Sequence, residues 1–113
     1  MLPKEHRLRR DRDFDRVFKE GEKTFVSPYS VRFVGNHLAL SRFAVVVGSR
    51  VSKKAVERNR VRRQVREIIR LLLPEISPGK DVSVSVQPQA KALPYKKLEE
   101  ALERALKKAK LLA

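Results

Sequence analysis

Arginine recurs at every fourth position over Arg58, Arg62 and Arg66, with Asn59, Arg63 and Arg70 beside that series. At about 100° per residue, a helix gathers these side chains on one flank. A guanidinium is planar and permanently charged. It can grip a phosphate through two parallel hydrogen bonds or stack on a base. Asn59 adds a neutral donor and acceptor within the cationic flank. Most charged helix faces are simply solvated, but those faces mix signs, because like charges four residues apart destabilise a helix. A row kept at one sign points to an external anion that relieves the repulsion. Arg50, Lys53 and Lys54 extend the basic run upstream, and Arg60 continues it inside the helix.

A second cluster able to meet nucleic acid is aromatic. Phe14 and Phe18 stand one helical turn apart. Their rings either pack in the core or wall a groove where unpaired bases can stack. Acid–base chemistry is poorly represented. His6 and His37 are the two histidines, one in a basic arm and one beside a turn, and both read as exposed polar residues. There is no Ser-His-Asp arrangement, no Gly-rich phosphate loop and no carboxylate group suited to two metals. Asp11, Asp13 and Asp15 alternate with Arg10, Arg12 and Arg16 and spread around a helix axis, so they read as capping and charge compensation. No catalytic residue and no metal ligand is expected in this chain.

The chain of 113 residues suits one domain, with residues 1–9 as a basic arm. It carries 27 Lys and Arg against 13 acids, a formal net charge of +14. Such an excess opposes compaction and favours polyanions, nucleic acid foremost. Trp is absent, and the basic segments lack an apolar amphipathic face, so a membrane surface fits less well. No apolar run approaches the roughly 20 residues of a membrane span, and the N-terminus lacks a signal-peptide pattern. The absence of cysteine is compatible with a reducing cytoplasm, where the chain is expected to reside.

The elements that position these residues follow from periodicity. A helix is expected over about Asp11 to Glu20, with Asp11 as N-cap and Gly21 just past the end. Tyr29, Val31 and Phe33 alternate with Ser30, Arg32 and Val34 as a strand, ended by the Gly35-Asn36 turn. Phe43 to Val47 is a continuous apolar run, read as a strand covered on both faces. A basic connection over Gly48 to Lys53 leads to a long helix from about Lys54 to Leu73, stopped by Pro74, whose buried stripe is Val61, Val65, Ile68 and Leu72. Pro78-Gly79 turns into a strand with Val82, Val84 and Val86 inward and Ser83 and Ser85 outward. After a loop over Pro88 to Pro94, a last helix spans about Tyr95 to Leu112. The expected class is an α/β sandwich, a small mixed sheet packed with helices in the order α-β-β-α-β-α.

The string Lys54-Ala55-Val56-Glu57-Arg58-Asn59-Arg60-Val61-Arg62-Arg63, followed by Arg66-Glu67, resembles the RNR signature of the bacterial ribonuclease P protein family. Arg9-Arg10-Asp11-Arg12-Asp13-Phe14, then Val17-Phe18 and Gly21, is similar to that family's first helix. The resemblance runs from about residue 7 to 110. It departs at Arg50-Val51-Ser52-Lys53, where the family has a basic pair and a glycine, and at Arg32, where a tyrosine is usual. It implies a fold shared with the second domain of a small-subunit ribosomal protein. It also implies a non-catalytic subunit bound to ribonuclease P RNA, which cuts the 5′ leader from precursor tRNA using Mg²⁺ held mainly by RNA. The RNR helix (Arg50, Lys53, Lys54, Arg58, Asn59, Arg60, Arg62, Arg63, Arg66 and Arg70) would face the RNA subunit. Phe14, Phe18, Ser30 and Arg32 would line a cleft for the leader. No obligate protein partner is implied. The alternatives are another structured-RNA binder of ribosomal type, a DNA-binding module with residues 58–70 as recognition helix, and a self-sufficient nuclease.

Overall fold

The computed structural model describes residues 2–112. Its three α-helices are α1 (Asp11–Glu20), α2 (Ala55–Leu72) and α3 (Tyr95–Lys108). Its four strands are β1 (Glu22–Val26), β2 (Tyr29–Gly35), β3 (Arg42–Val47) and β4 (Lys80–Val86). They form one mixed sheet in the order β1-β2-β4-β3. β1–β2 and β2–β4 are antiparallel, and β3 runs parallel to β4. This is the expected α+β class with one added strand. β1 was not expected, and the order is α-β-β-β-α-β-α.

The alternation in β2 and β4 decides which face builds the core. Tyr29, Val31 and Phe33 lie beside Val86, Val84 and Val82, and all are buried. Phe43, Val45 and Val47 complete the layer. α2 and α3 close over it with Val61, Val65, Ile68, Ile69, Leu98, Leu102 and Leu106. The Tyr29 hydroxyl crosses the core and donates to Leu98 O at 2.9 Å, while burial pushes its pKa up.

The opposite face carries Ser30, Arg32, Ser83, Ser85, Asp81 and Arg42, and α1 lies over its β2–β4 centre. Because α1 stops short of β3, Val46 is 43% exposed. The run Phe43 to Val47 is therefore covered on one face, not on both.

α1 buries only Asp13 and Val17 fully. Its docking depends on Asp81, which is 0% exposed. Arg42 donates Nε and Nη2 to the two Asp81 oxygens at 2.8 and 2.7 Å. Arg16 of α1 donates Nη2 at 2.7 Å, and Asn36 donates Nδ2 at 2.9 Å. Asp13 closes the network on Arg42 at 3.4 Å. Asp13 is thus a structural partner, and Asp11 makes no side-chain cap, since Arg10 holds the cap position. Gly21 ends α1 with an ordinary negative φ. It is required by space, because a Cβ there would fall 2.3 Å from Val17 O and 2.9 Å from Phe33 O.

The basic arm is ordered over its described part, and Met1 lies outside the described residues. Leu2 and Leu8 are buried, Leu8 N donates to Phe43 O at 2.8 Å, and His6 Nδ1 lies 2.8 Å from Ser41 O. His6 is therefore a packed residue; His37 is exposed in a left-handed turn conformation. α3 ends at Lys108, four residues before the expected Leu112.

Two outcomes are expected in urea unfolding. Asp81→Asn should lose about 3 kcal/mol, since it leaves cations gathered around a neutral group. Hydrogen bonds from Arg42 and Asn36 outweigh burial and hold the Asp81 carboxyl below its usual range. Its stabilisation is therefore present above roughly pH 4 and lost as pH falls through the lower folded value. That part of the acid limb should vanish in the variant. Tyr29→Phe should cost about 1 kcal/mol, the worth of one buried hydrogen bond.

Candidate nucleic-acid interface

α2 presents its stripe to the core as the 3.6-residue period requires, and Arg58, Arg62 and Arg66 flank it, half-buried. Their partners are neutral. Arg58 Nη1 donates to Ser52 O at 2.9 Å. Arg62 Nη1 donates to Asn59 Oδ1 at 2.6 Å, and its Nη2 reaches Val47 O at 3.4 Å. These contacts aim the guanidiniums without neutralising them. Burial first, then the nearby Arg62 and Arg7 cations, lower the Arg66 pKa. The ridge therefore carries unrelieved repulsion, as its spacing implied.

The remaining basic residues divide. Asn59 and Arg63 are exposed beside the ridge. Arg70 is exposed but engaged, donating Nη2 and Nε to Glu67 at 2.6 and 3.0 Å. That pairing pulls the Glu67 carboxyl down to about 2. Arg60 lies on the other flank, lining a cavity with Lys91 and Tyr95, so the two arginines of Arg58-Asn59-Arg60 face different ways. Arg50, Lys53 and Lys54 are exposed around the start of α2.

Ser52 organises that start and was missed as a functional residue. It is 6% exposed, its Oγ accepts from Lys54 N at 3.1 Å, and it donates to Glu57 Oε1 at 2.7 Å. The Ser52 hydrogen bond holds the Glu57 carboxyl below its ordinary range. A serine two residues before Lys54 and five before Glu57 was the available signal. The path of the Arg50–Lys53 connection is fixed by this serine and by Val51, which is buried and donates its N–H to Gly48 O.

The aromatic groove lies on the sheet's outer face, beside α1. Phe18 is 46% exposed and Phe14 half-buried, so neither is a core residue. Arg32 stacks over Phe18, its Cζ 5.2 Å from the ring centroid, and Nη1 reaches Phe18 O at 3.4 Å. Strand register supplies a floor. Phe25 pairs with Ser30, Ser30 with Ser85, and Ser85 with Val46, a row across all four strands spanning about 14 Å. Phe25, 47% exposed, was missed because β1 has no burial alternation to reveal it. Ser83 is 1% exposed beneath α1, so it is not a groove residue; Ser85 is half-buried. Groove and ridge meet, because Phe14, Ala44, Val46 and Arg66 line one cavity of about 250 Å³.

Among the described residues no three His, Cys, Asp or Glu side chains come together as metal ligands. No helix is long and apolar enough to cross a membrane.

On stability, Arg66→Ala should be neutral or slightly stabilising, since it removes repulsion and has the better helix propensity. Arg58→Ala should cost about 1 kcal/mol by freeing Ser52 O. Thermal melts of the two variants should separate in that order.

Residues 2–110 match the family model described as Ribonuclease P. The chain is 38% identical over 112 residues to the ribonuclease P protein component of a Synechocystis species, covering 98% of this chain and 90% of that protein. The Staphylococcus aureus RNase P protein structure superposes with a TM-score of 0.88 at 27% identity, over 96% of this chain and 98% of that one. The Thermotoga maritima RNase P protein gives a TM-score of 0.82 at 33% identity, over 90% and 96%. With the family model matched over residues 2–110 and the same fold in these solved structures, the chain belongs to the bacterial ribonuclease P protein family.

Proposed function

We propose that this ribonuclease P subunit holds the RNA subunit on the Arg58–Arg66 flank of α2 and receives the single-stranded 5′ leader of precursor tRNA in the α1–sheet groove. The observation that carries the reading is the exposed Phe18 ring with Arg32 stacked on it, above an open floor of Phe25, Ser30, Ser85 and Val46. Exposed apolar side chains grouped in one groove, here Phe18, Phe25 and Val46, mark a contact surface in a way that a lone exposed ring does not. A ring and a guanidinium plane both offer stacking surface to an unpaired base of any identity. Arg32 also supplies the charge that a leader phosphate needs, which a tyrosine at this position would not.

The contiguity of groove and ridge supports a division of labour. Arg66 stands where the two meet, so a leader leaving the scissile phosphate would enter the groove beside the RNA subunit. In this reading the protein binds and orients, and phosphodiester hydrolysis belongs to the RNA with its own Mg²⁺. Arg62 and Arg66 screen the two RNAs from each other where their backbones converge.

Reconstitution with ribonuclease P RNA at low Mg²⁺ tests the proposal: 5′ processing of precursor tRNA should appear with protein added, and protein alone should cut nothing. Phe18→Ala and Arg32→Ala should each weaken precursor binding by about 1–3 kcal/mol and leave mature tRNA unchanged. Equal losses for both tRNAs would remove the leader from this groove. Log affinity for the RNA subunit should fall linearly with log salt, with a slope of several units; a flat dependence would defeat the electrostatic reading.

A further inference from the structure

α1 separates two depressions. Phe14 and Phe18 project from one flank, while Arg12 and Arg16 project from the other at about 100° per residue. On that second flank lies a basin of about 700 Å³ whose floor is Arg16 and Arg42. Both floor arginines are committed to Asp81 and Asp13. The rim is different. Lys4, Arg9, Arg10 and Arg12 are exposed, and among the described residues none has a side-chain hydrogen bond or ion pair. Glu5 is the one further acid on the wall.

This charge placement is unfavourable for the protein alone. Arg10 and Arg12 sit at the start of α1, where the helix dipole repels cations. Four unpaired cations converge on one concavity, and concave basic surfaces concentrate a field that draws in anions. The basin also connects to the α2 ridge. Arg7 lines both this basin and the smaller cavity that contains Arg66. A cationic track therefore runs from Arg66 across Arg7 to Arg12, passing Phe14 at the N-terminal end of α1.

We propose that this basin is a second site for RNA phosphate backbone, occupied by the RNA subunit rather than by the leader. Its ligand class is a phosphodiester chain, held by Lys4, Arg9, Arg10 and Arg12. The leader is the other source of the same chemistry, but Phe18 stands a turn beyond Phe14 on the flank opposite Arg12 and Arg16, so a strand stacked on it would have to turn around the N-terminal end of α1 to reach the basin. The inference rests on the reading that this subunit assembles with ribonuclease P RNA through α2.

The test is R9A/R10A/R12A, measured by binding to ribonuclease P RNA across a salt series. These side chains hold nothing in the fold, so the melting temperature should be unchanged or slightly raised. Should it fall, the Arg→Gln triple variant, which keeps helix propensity, replaces it. Affinity for the RNA subunit should drop about tenfold or more, and the salt slope should become shallower by roughly one unit per lost contact. In holoenzyme assembled at saturating protein, the ratio of precursor to mature tRNA affinity should not move. An unchanged affinity and slope would overturn the proposal. So would a loss confined to the precursor-to-mature ratio, which would assign the basin to the leader. N59A/R63A on α2 is measured in parallel. If it alone weakens RNA-subunit binding, the basin fails and the α2 reading stands; if neither variant weakens it, the assembly reading fails as well.

Discussion

A single carboxylate with no solvent exposure holds the functional half of this protein together. Asp81 accepts four hydrogen bonds, from Arg42 on β3, Arg16 on α1 and Asn36 in the turn after β2. A buried ion group of this kind seldom adds stability over an apolar one, but its hydrogen bonds are directional and tie together the elements that supply them. Here they seat α1. With Val17 as its only fully buried apolar residue, the helix has little apolar packing to hold it on a sheet face built largely of Ser30, Arg32, Ser83 and Ser85. Directional hydrogen bonds to Asp81 hold it instead, and they set how far Phe14 and Phe18 stand from the sheet.

The rest of the charge is handled in the opposite way. A net charge of +14 in a small domain must be placed without collapsing into internal pairs. On α2 the arginines lean on carbonyls and an amide oxygen, Ser52 O, Val47 O and Asn59 Oδ1. Neutral acceptors restrict the rotamers while leaving the full positive charge directed outward. A carboxylate would restrict them too, but would compete with phosphate. Arg70 illustrates that alternative, since Glu67 accepts from both its Nε and its Nη2. The chain thus pairs arginine with acids around Asp81 and at Glu67, and with neutral acceptors along the Arg58–Arg62 ridge.

What the sequence disclosed followed local period. The α2 stripe, the alternation in β2 and β4, and the flank carrying Arg58, Arg62 and Arg66 all come from spacing within one element, and all stand in the structure. What escaped depended on contacts distant in sequence. β1 is a strand because it pairs with β2, and its exposed Lys23 and Phe25 give no burial pattern. Val46 looked doubly covered because nothing local says that α1 stops over β4. Asp81, preceded by a turn and a lysine, resembles a solvent-facing acid until Arg16 and Arg42 are brought to it. Of the groove, the aromatic wall was legible from α1, whereas Phe25 was not.

The strand order also sets a timetable for assembly. β2 and β3 follow each other in the chain, yet they are not neighbours in the sheet; β4 lies between them, and α2 is made before it. As the polypeptide leaves the ribosome, β1 and β2 can form a hairpin and α2 can coil, but the central slot stays empty until Lys80 to Val86 emerges. Asp81 arrives with the same segment, so α1, synthesised among the first residues, has no anchor until then. About three-quarters of the chain must exist before the sheet can close, and the core behind it waits further for α3. This architecture suits a short polypeptide, for which the wait is brief, and it makes the nascent chain a loose, strongly cationic strand surrounded by ribosomal RNA.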